Sequence, residues 1–495
     1  MRFHADGFRE SAAIPMTDRP DLILINPGTW AEVYSQVGEQ SGVAPPIGLG
    51  LIASFVRQRG FSVEIVDAEA DGLTPAQVAE IVRSKDPLLA GVTAVTAKMT
   101  AATKIVSAIR EKAGSTRTVI GGHHAAALPE ETLRVSGADY VCTTEGFHPT
   151  EDLLRALRSG TPPDRVEARG TVARRDGTLF RGEAPPLIRD LDELPFVAWD
   201  LLPMGKYRAH NWHCFGQESR SPYAVVFSSL GCPFRCTYCS VNAVYGKGSY
   251  RVRSPHHFVE EIDVLAREYG VRHMEIVDDT FTVDKSRVHE ICDLLIEREY
   301  RVNFWAYART DTVDLPLLRK MKEAGIRWVA YGFESGNASV RKGVNKGQER
   351  IREAVGMARE AGIHIIANFI FGLPDDTLES MRDTLDLAIR INAEYANFWC
   401  AMAFPGSDLY RTAREMGWKL PATWHGYSQY SYDTEPLPTR HLAAEEILRF
   451  RDSAFREYFQ RPEYLATVRS AFGEKAASEV RRMLERKLRR RLLGE

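Results

Sequence analysis

The 495-residue chain carries 64 lysines and arginines against 66 aspartates and glutamates, a formal net charge of −2. This balance gives no general electrostatic reason to expect nucleic acid as a partner. With 44% hydrophobic and 26% charged residues, the composition is that of a soluble globular protein, and its length calls for two or three domains rather than one core.

The opening segment, Met1 to Pro20, is polar and mixed in charge with no apolar h-region, so no signal peptide is expected. No run of eighteen uninterrupted apolar residues predicts a membrane span. Four of the seven cysteines (Cys142, Cys214, Cys292 and Cys400) are widely scattered. They read as single buried thiols rather than a disulfide framework, which fits a reducing compartment and a cytoplasmic enzyme.

Residues 20–150 alternate short apolar runs with helical segments. Asp21 to Pro27 reads as a buried strand stopped by a turn signal, and Gly48 to Gly60 as a helix ending at glycine. Further strands are predicted at Ser62–Asp67, Leu88–Ala94, Thr118–Gly122 and Tyr140–Cys142. The alternation predicts a doubly wound parallel α/β sheet of Rossmann type, with ligands at the carboxyl ends of its strands. Asn26, Thr93, Thr96, Gly121, Gly122 and His123 fall there, and the glycine pair permits close backbone approach to a ligand. Residues 151–222, rich in Arg, Gly, Pro and Asp, read as a linker with a small hairpin.

From residue 223 to 404 a strand-then-helix pattern recurs six times, with strands at 224–229, 273–277, 303–308, 328–332, 364–371 and 395–404. This predicts a partial (β/α)6 barrel with its chemistry at the C-terminal ends of the strands. Immediately after the first strand come Cys232, Cys236 and Cys239, spaced C-x3-C-x2-C, with no fourth cysteine nearby. Structural zinc sites come as paired C-x2-C halves or with closely spaced histidines, whereas iron–sulfur cubanes are held by thiolates. Three ligands on four irons leave one iron open to a substrate or cofactor. Asp278 and Asp279, Arg309, Glu334 with Ser335, and Gly372 end the next four strands at the same rim. Residues 405–495 read as a helical and aromatic cap with Trp418, Trp424, Tyr427, Tyr430 and Tyr432, its aromatics packing onto the barrel mouth. The basic stretch Arg481 to Arg491 places Leu484, Leu488 and Leu492 on one helical face. A solvated terminal helix packed by these leucines is expected ahead of contact with an anionic membrane surface.

The cysteine loop, with Tyr238 just before its last cysteine, resembles the signature of the radical S-adenosylmethionine (SAM) enzymes. The first domain, with Pro45-Pro-Ile-Gly-Leu-Gly50, Gly121-Gly122 and Ala127-Leu-Pro-Glu-Glu131, resembles the cobalamin-binding domain found ahead of many such cores. It lacks the D-x-H-x-x-G motif after its first strand, has two histidines (His123 and His124) where one is usual, and lacks a second acidic residue in Thr144-Glu-Gly-Phe147. The resemblance implies a [4Fe–4S] cluster on Cys232, Cys236 and Cys239, SAM on its open iron, and cobalamin without an imidazole ligand from that loop. It further implies that Arg309, Glu334 and Ser335 hold the carboxylate, amino group or ribose of SAM. Tyr238 would lie against the adenine, with Gly372 giving room there, and Asp278 and Asp279 would serve cofactor binding or turn capping. Asn26, Thr93, Thr96, Gly121, Gly122 and His123 would contact cobalamin. The implied activity is methylation of an unactivated carbon in a biosynthetic intermediate through a 5′-deoxyadenosyl radical. The alternative is an oxidative cyclase or ring-rearranging enzyme with the same cofactors. The implied partners are a small-molecule, lipid or tetrapyrrole substrate and an electron donor such as flavodoxin or ferredoxin.

Overall fold

In a computed structural model, the protein is described at residues 19–34, 36, 41–217, 219–246, 248–347 and 350–495. The polar opening segment lies, up to residue 18, outside the described residues. The first sheet holds β1 (Leu22–Asn26), β2 (Val63–Asp67), β3 (Leu89–Thr93), β4 (Arg117–Gly121) and β5 (Tyr140–Cys142), parallel in the order β2-β1-β3-β4-β5. Alternate residues of β1 feed two cores: Leu22 and Leu24 pack on one side, Ile23 and Ile25 on the other. Helices Ile47–Arg57 and Phe147–Arg158 cover the first face, and Pro75–Lys85 and Met99–Lys112 the second. A sheet covered on both faces needs apolar residues in succession along its strands, which is what Leu-Ile-Leu-Ile supplies.

The hairpin predicted in the linker is β6 (Thr171–Arg175) with β7 (Thr178–Arg181), and it extends the first sheet antiparallel from β5. Asp176 and Gly177 both turn with positive φ, the conformation a two-residue hairpin requires. Helix Phe147–Arg158 runs through residue 150, so the first domain's sheet and covering helix continue into the segment read as linker.

The second sheet holds β8 (Tyr223–Val226), β11 (His273–Ile276), β12 (Asn303–Ala308), β13 (Ile326–Glu334), β14 (His364–Phe371) and β15 (Tyr395–Cys400), all parallel in that order. Six strands in sequence leave β8 and β15 as edges of an open barrel. A two-stranded antiparallel ladder, β9 (Ser229–Leu230) with β10 (Arg251–Val252), brackets the cysteine loop between its strands.

The connector is pinned to the barrel through Glu261, which a buried ion pair within the barrel holds in place. Arg253 and Glu261 are each 1% exposed. Glu261 also accepts hydrogen bonds from the Val197 amide at 2.8 Å and the Trp199 indole at 3.1 Å.

The C-terminal region corrects one sequence expectation. The last long helix ends at Glu485, after which residues 486–490 are non-helical and a 3-10 turn closes the chain at Arg491–Leu493. Leu484, Leu488 and Leu492 therefore do not share a helical face, and no basic amphipathic terminal helix forms. The physical reason is Arg490, fully buried, which pairs with Asp452 at 3.0 Å and donates to the carbonyl of Gln429 at 2.7 Å. A continued helix would leave that guanidinium in solvent. Among the described residues, no helix is long and apolar enough to cross a membrane.

Removing one partner of a buried pair leaves the other charge uncompensated, at a cost of about 3–5 kcal/mol. Glu261→Ala should therefore lower unfolding stability by that amount in chemical denaturation. Exposed Glu360→Ala, which loses only a surface pair to Arg319, should change it by less than about 1 kcal/mol.

Candidate active site

The cysteine loop leaves β9 through Gly231, whose φ is +84° and where an added Cβ would lie 2.3 Å from the Ser249 carbonyl oxygen. Any side chain at 231 would push the loop off its seat. Cys232, Cys236 and Cys239 are all partly exposed, whereas the four scattered cysteines are buried, as predicted. Cys232 Sγ lies 3.9 Å from Thr280 Oγ1, and Cys236 Sγ lies 4.0 Å from Arg309 Nη1. Burial pushes the Cys239 thiol up to about 12 and raises Cys232, and the neighbouring Asp279 and Cys236 add to both shifts. A bound metal would reverse that balance by holding the thiols deprotonated. The donor set of three soft thiolates on one loop fits an iron–sulfur cluster.

Around the loop, the strand-end residues divide into those that face it and those that brace it. Arg309, on the end of β12, stacks 4.0 Å over Phe234 and is gripped by both oxygens of Asp311 at 2.9 and 2.8 Å. Glu334 ends β13 with φ of +60°, beside a register shift against β14. Left-handed backbone is costly for a glutamate and is used here to re-aim its carboxylate. That carboxylate pairs with buried Lys346 and accepts from the Tyr238 hydroxyl. The pair folds back over Gly332, where a Cβ would lie 2.3 Å from Glu334 Oε1 and 2.6 Å from Lys346 Nζ.

Asp278 is fully buried and accepts four hydrogen bonds, from the amides and hydroxyls of Ser228 and Ser229, at 2.5 to 3.1 Å. It is a brace under the loop. Asp279 is exposed at the end of β11, and partial desolvation together with the Asp278 charge pushes it up to about 6. Ser335 turns its hydroxyl to Thr384 and to the Asn337 amide, each at 3.1 Å, and so is spent on the local turn. Gly372 has φ of +80° and would meet Ile447 at 2.8 Å if it carried a Cβ. The space it leaves is filled by the C-terminal helix Ala444–Phe459.

In the first domain the predicted residues also separate. At the crevice between β1 and β3, Asn26 donates to Asp67 at 2.7 Å and accepts from Lys98 at 3.0 Å. The protein's own polar groups fill that place. Thr96 meets buried His124 at 3.2 Å, and the His124 ring packs on Trp424 of the cap. By contrast Thr93, Gly121, Gly122 and His123 line one slot of 190 Å³ beyond the ends of β3, β4 and β5. Its opposite wall is Leu230, Val244 and Tyr245, which flank the cysteine loop. Two observations fit this slot to a cobalamin. A Cβ built on lining residue Gly48 meets nothing within 4 Å, and the buried hydroxyl of lining residue Thr144 has no partner. The volume suits a narrow arm of so large a cofactor. Lys346, Gly332 and Tyr245 were not singled out from sequence, whereas Gly48 lies within the Pro45-Pro-Ile-Gly-Leu-Gly50 run. Gly332, two positions before Glu334 in a strand, carried the only local signal.

Comparison with known proteins agrees with this division. The Radical SAM superfamily matches residues 226–388 and the B12 binding domain residues 37–154. The uncharacterized methyltransferase PH0819 of Pyrococcus horikoshii is 31% identical over 451 residues, covering 90% of this chain and 93% of that protein. The anaerobic magnesium-protoporphyrin IX monomethyl ester cyclase of Rubrivivax gelatinosus is 27% identical over 440 residues, covering 87% and 77%. The fold matches that of the radical SAM methyltransferase TsrM from Kitasatospora setae, solved with cobalamin and a [4Fe-4S] cluster bound, with a TM-score of 0.67 at 17% identity over 88% of each chain. The chain belongs to the B12-binding radical SAM family.

Gly48 sits inside the first turn of helix Ile47–Arg57 with open space where its side chain would project. Gly48→Phe should therefore leave the melting temperature within about 2 °C of wild type. It should cut the cobalamin retained per chain roughly tenfold or more, read from cobalt content after gel filtration.

Proposed function

We propose that the protein methylates an unactivated carbon of a bulky, largely apolar biosynthetic intermediate, using SAM, a [4Fe–4S] cluster and cobalamin. When bound, these supply the electron that cleaves SAM, the 5′-deoxyadenosyl radical that removes a substrate hydrogen atom, and the methyl group that replaces it. The observation that carries the reading is positional: the glycine-lined slot opens against the residues on either side of the cysteine loop.

Cys232, Cys236 and Cys239 would hold the cluster. Arg309, fixed by Asp311 and stacked on Phe234, brings its Nη1 to 4.0 Å from Cys236 Sγ, and a SAM carboxylate on the open iron would accept from this guanidinium. Glu334 would receive the SAM amino group, and the Lys346 ammonium already seated on it supports that reading of its charge preference. Tyr238, packed among Val340, Leu373 and Ala401 and bonded to Glu334, would offer its ring to the adenine.

The substrate space follows from the barrel interior. A 780 Å³ cavity is lined by Trp305 and Tyr307 of β12, Asn368 of β14 and successive residues 395–399 of β15, and on its other side by charged residues of the C-terminal region such as Arg449 and Lys487. Tyr307 lies two residues, about 7 Å, below Arg309 along its strand. Aromatic walls facing a charged side suit a large molecule with an apolar body and polar or charged groups. Such a molecule is in keeping with relatives named for tetrapyrrole chemistry.

Cys236→Ala should abolish formation of 5′-deoxyadenosine from SAM and dithionite, and undiminished product would refute the cluster assignment. Glu334→Gln removes one charge-assisted bond, and the SAM concentration for half-maximal 5′-deoxyadenosine formation should rise about tenfold or more at unchanged iron content. With methyl-labelled SAM and the true substrate, mass spectrometry should find the label in the product. An oxidative cyclase would leave the product unlabelled.

A further inference from the structure

The floor of the barrel, at the opposite end of the strands from the cysteine loop, holds a cluster that the chemistry above does not use. His213 and Cys214 lie in the connector's 3-10 turn Trp212–Cys214, and His273 is the first residue of β11. All three are buried, and one ligand atom from each lies within 4.8 Å of the others. The strand rise of about 3.3 Å per residue puts His273 roughly 16 Å from Asp278 and the catalytic rim.

The hydrogen bonds fix which ring atoms are available. His213 Nε2 lies 3.0 Å from the Asn303 carbonyl oxygen, an acceptor only, so Nε2 carries the proton and Nδ1 the lone pair. That Nδ1 is buried without a partner, in a residue 1% exposed. The Nδ1 of His273 is approached at 3.4 Å by the Asn303 amide nitrogen, a donor only, so Nδ1 is again the lone-pair side. Metal-ligating histidines characteristically donate their second ring N–H to a main-chain carbonyl, which sets tautomer and orientation together. His213 has that arrangement, with the His273 imidazole and a thiol beside it. Asn303 Oδ1 is buried and unpartnered as well, in the amide that donates to the His213 carbonyl at 2.9 Å.

We infer that His213, Cys214 and His273 bind a zinc ion that ties the interdomain connector to the barrel floor. Two imidazole nitrogens and a thiolate suit zinc, with a water completing the tetrahedron and donating to Asn303 Oδ1. Binding forms the zinc–sulfur bond and releases the thiol proton to solvent. The site draws on none of the residues assigned to the cluster, SAM or cobalamin, so it stands apart from the proposed function.

The test is zinc analysis of the full-length holoenzyme, purified anaerobically from zinc-supplemented cells and dialysed. The expected content is about one zinc per chain, with an X-ray absorption fine structure of one sulfur at about 2.3 Å and two imidazole nitrogens at about 2.0 Å. Cys214→Ala and His273→Gln should each lose that zinc, while Cys292→Ala, altering a buried thiol elsewhere, should keep it. Absence of zinc from the wild type would overturn the assignment. So would zinc with two or more sulfurs that disappears in Cys236→Ala, since that ion would occupy the cysteine loop. Should Cys214→Ala fail to fold, the sulfur count in the wild-type absorption spectrum decides alone.

Discussion

Three thiols within eight residues can converge only if the backbone on both sides of them is held, and here the holding group is the Asp278 carboxylate. Four donors from Ser228 and Ser229 close around it, and Arg287 adds bonds to the Ser228 hydroxyl and carbonyl. Buried acceptors that are fully satisfied are rigid, because every alternative leaves a charge or a dipole without a partner. The carboxylate at the end of β11 thereby fixes the point at which the chain leaves β8 for the cysteine loop. Arg309, Thr280 and Glu334 then have a stationary target.

The same seam joins the two domains. Glu145, at the mouth of the glycine-lined slot, pairs with Arg251 on β10, and both side chains are 9% exposed. His123 packs edge-on to Tyr245 just beyond the loop, and His124 meets Trp424 from the cap. Two of these contacts join a first-domain residue at a strand end to a barrel residue flanking the cysteine loop, and the third ties the same face to the cap. One histidine of the pair is a wall of the slot, and the other is buried against the cap.

The architecture was legible because it rests on local pattern. Runs such as Leu22–Asn26 and the repeated strand-then-helix units announce a covered parallel sheet, and all six barrel strands form with ends shifted by a few residues. The cysteine loop and Glu334 were legible from their place at strand ends. What sequence could not separate was whether a polar residue at a strand end faces the site or supports it. Asp278, Ser335, Asn26 and Thr96 all sit where ligands bind, yet each is consumed by neighbours distant in sequence. Gly372 shows the same limit, since its free space is filled by Ile447, seventy-five positions later. Lys346 went unnoticed because nothing near it predicts a buried ammonium. The terminal leucines misled because helical spacing was read without the buried Arg490, whose partner Asp452 lies on another helix.

The central claim is that one chain holds an open-iron cluster and a cobalamin against the same loop. Metal analysis with ultraviolet–visible spectroscopy on a single anaerobically purified and reconstituted sample tests it most directly. The account predicts about four irons and one cobalt per chain, with a broad iron–sulfur shoulder and cobalamin bands in one spectrum. Iron retained with no cobalt, after exposure to excess cobalamin, would contradict it.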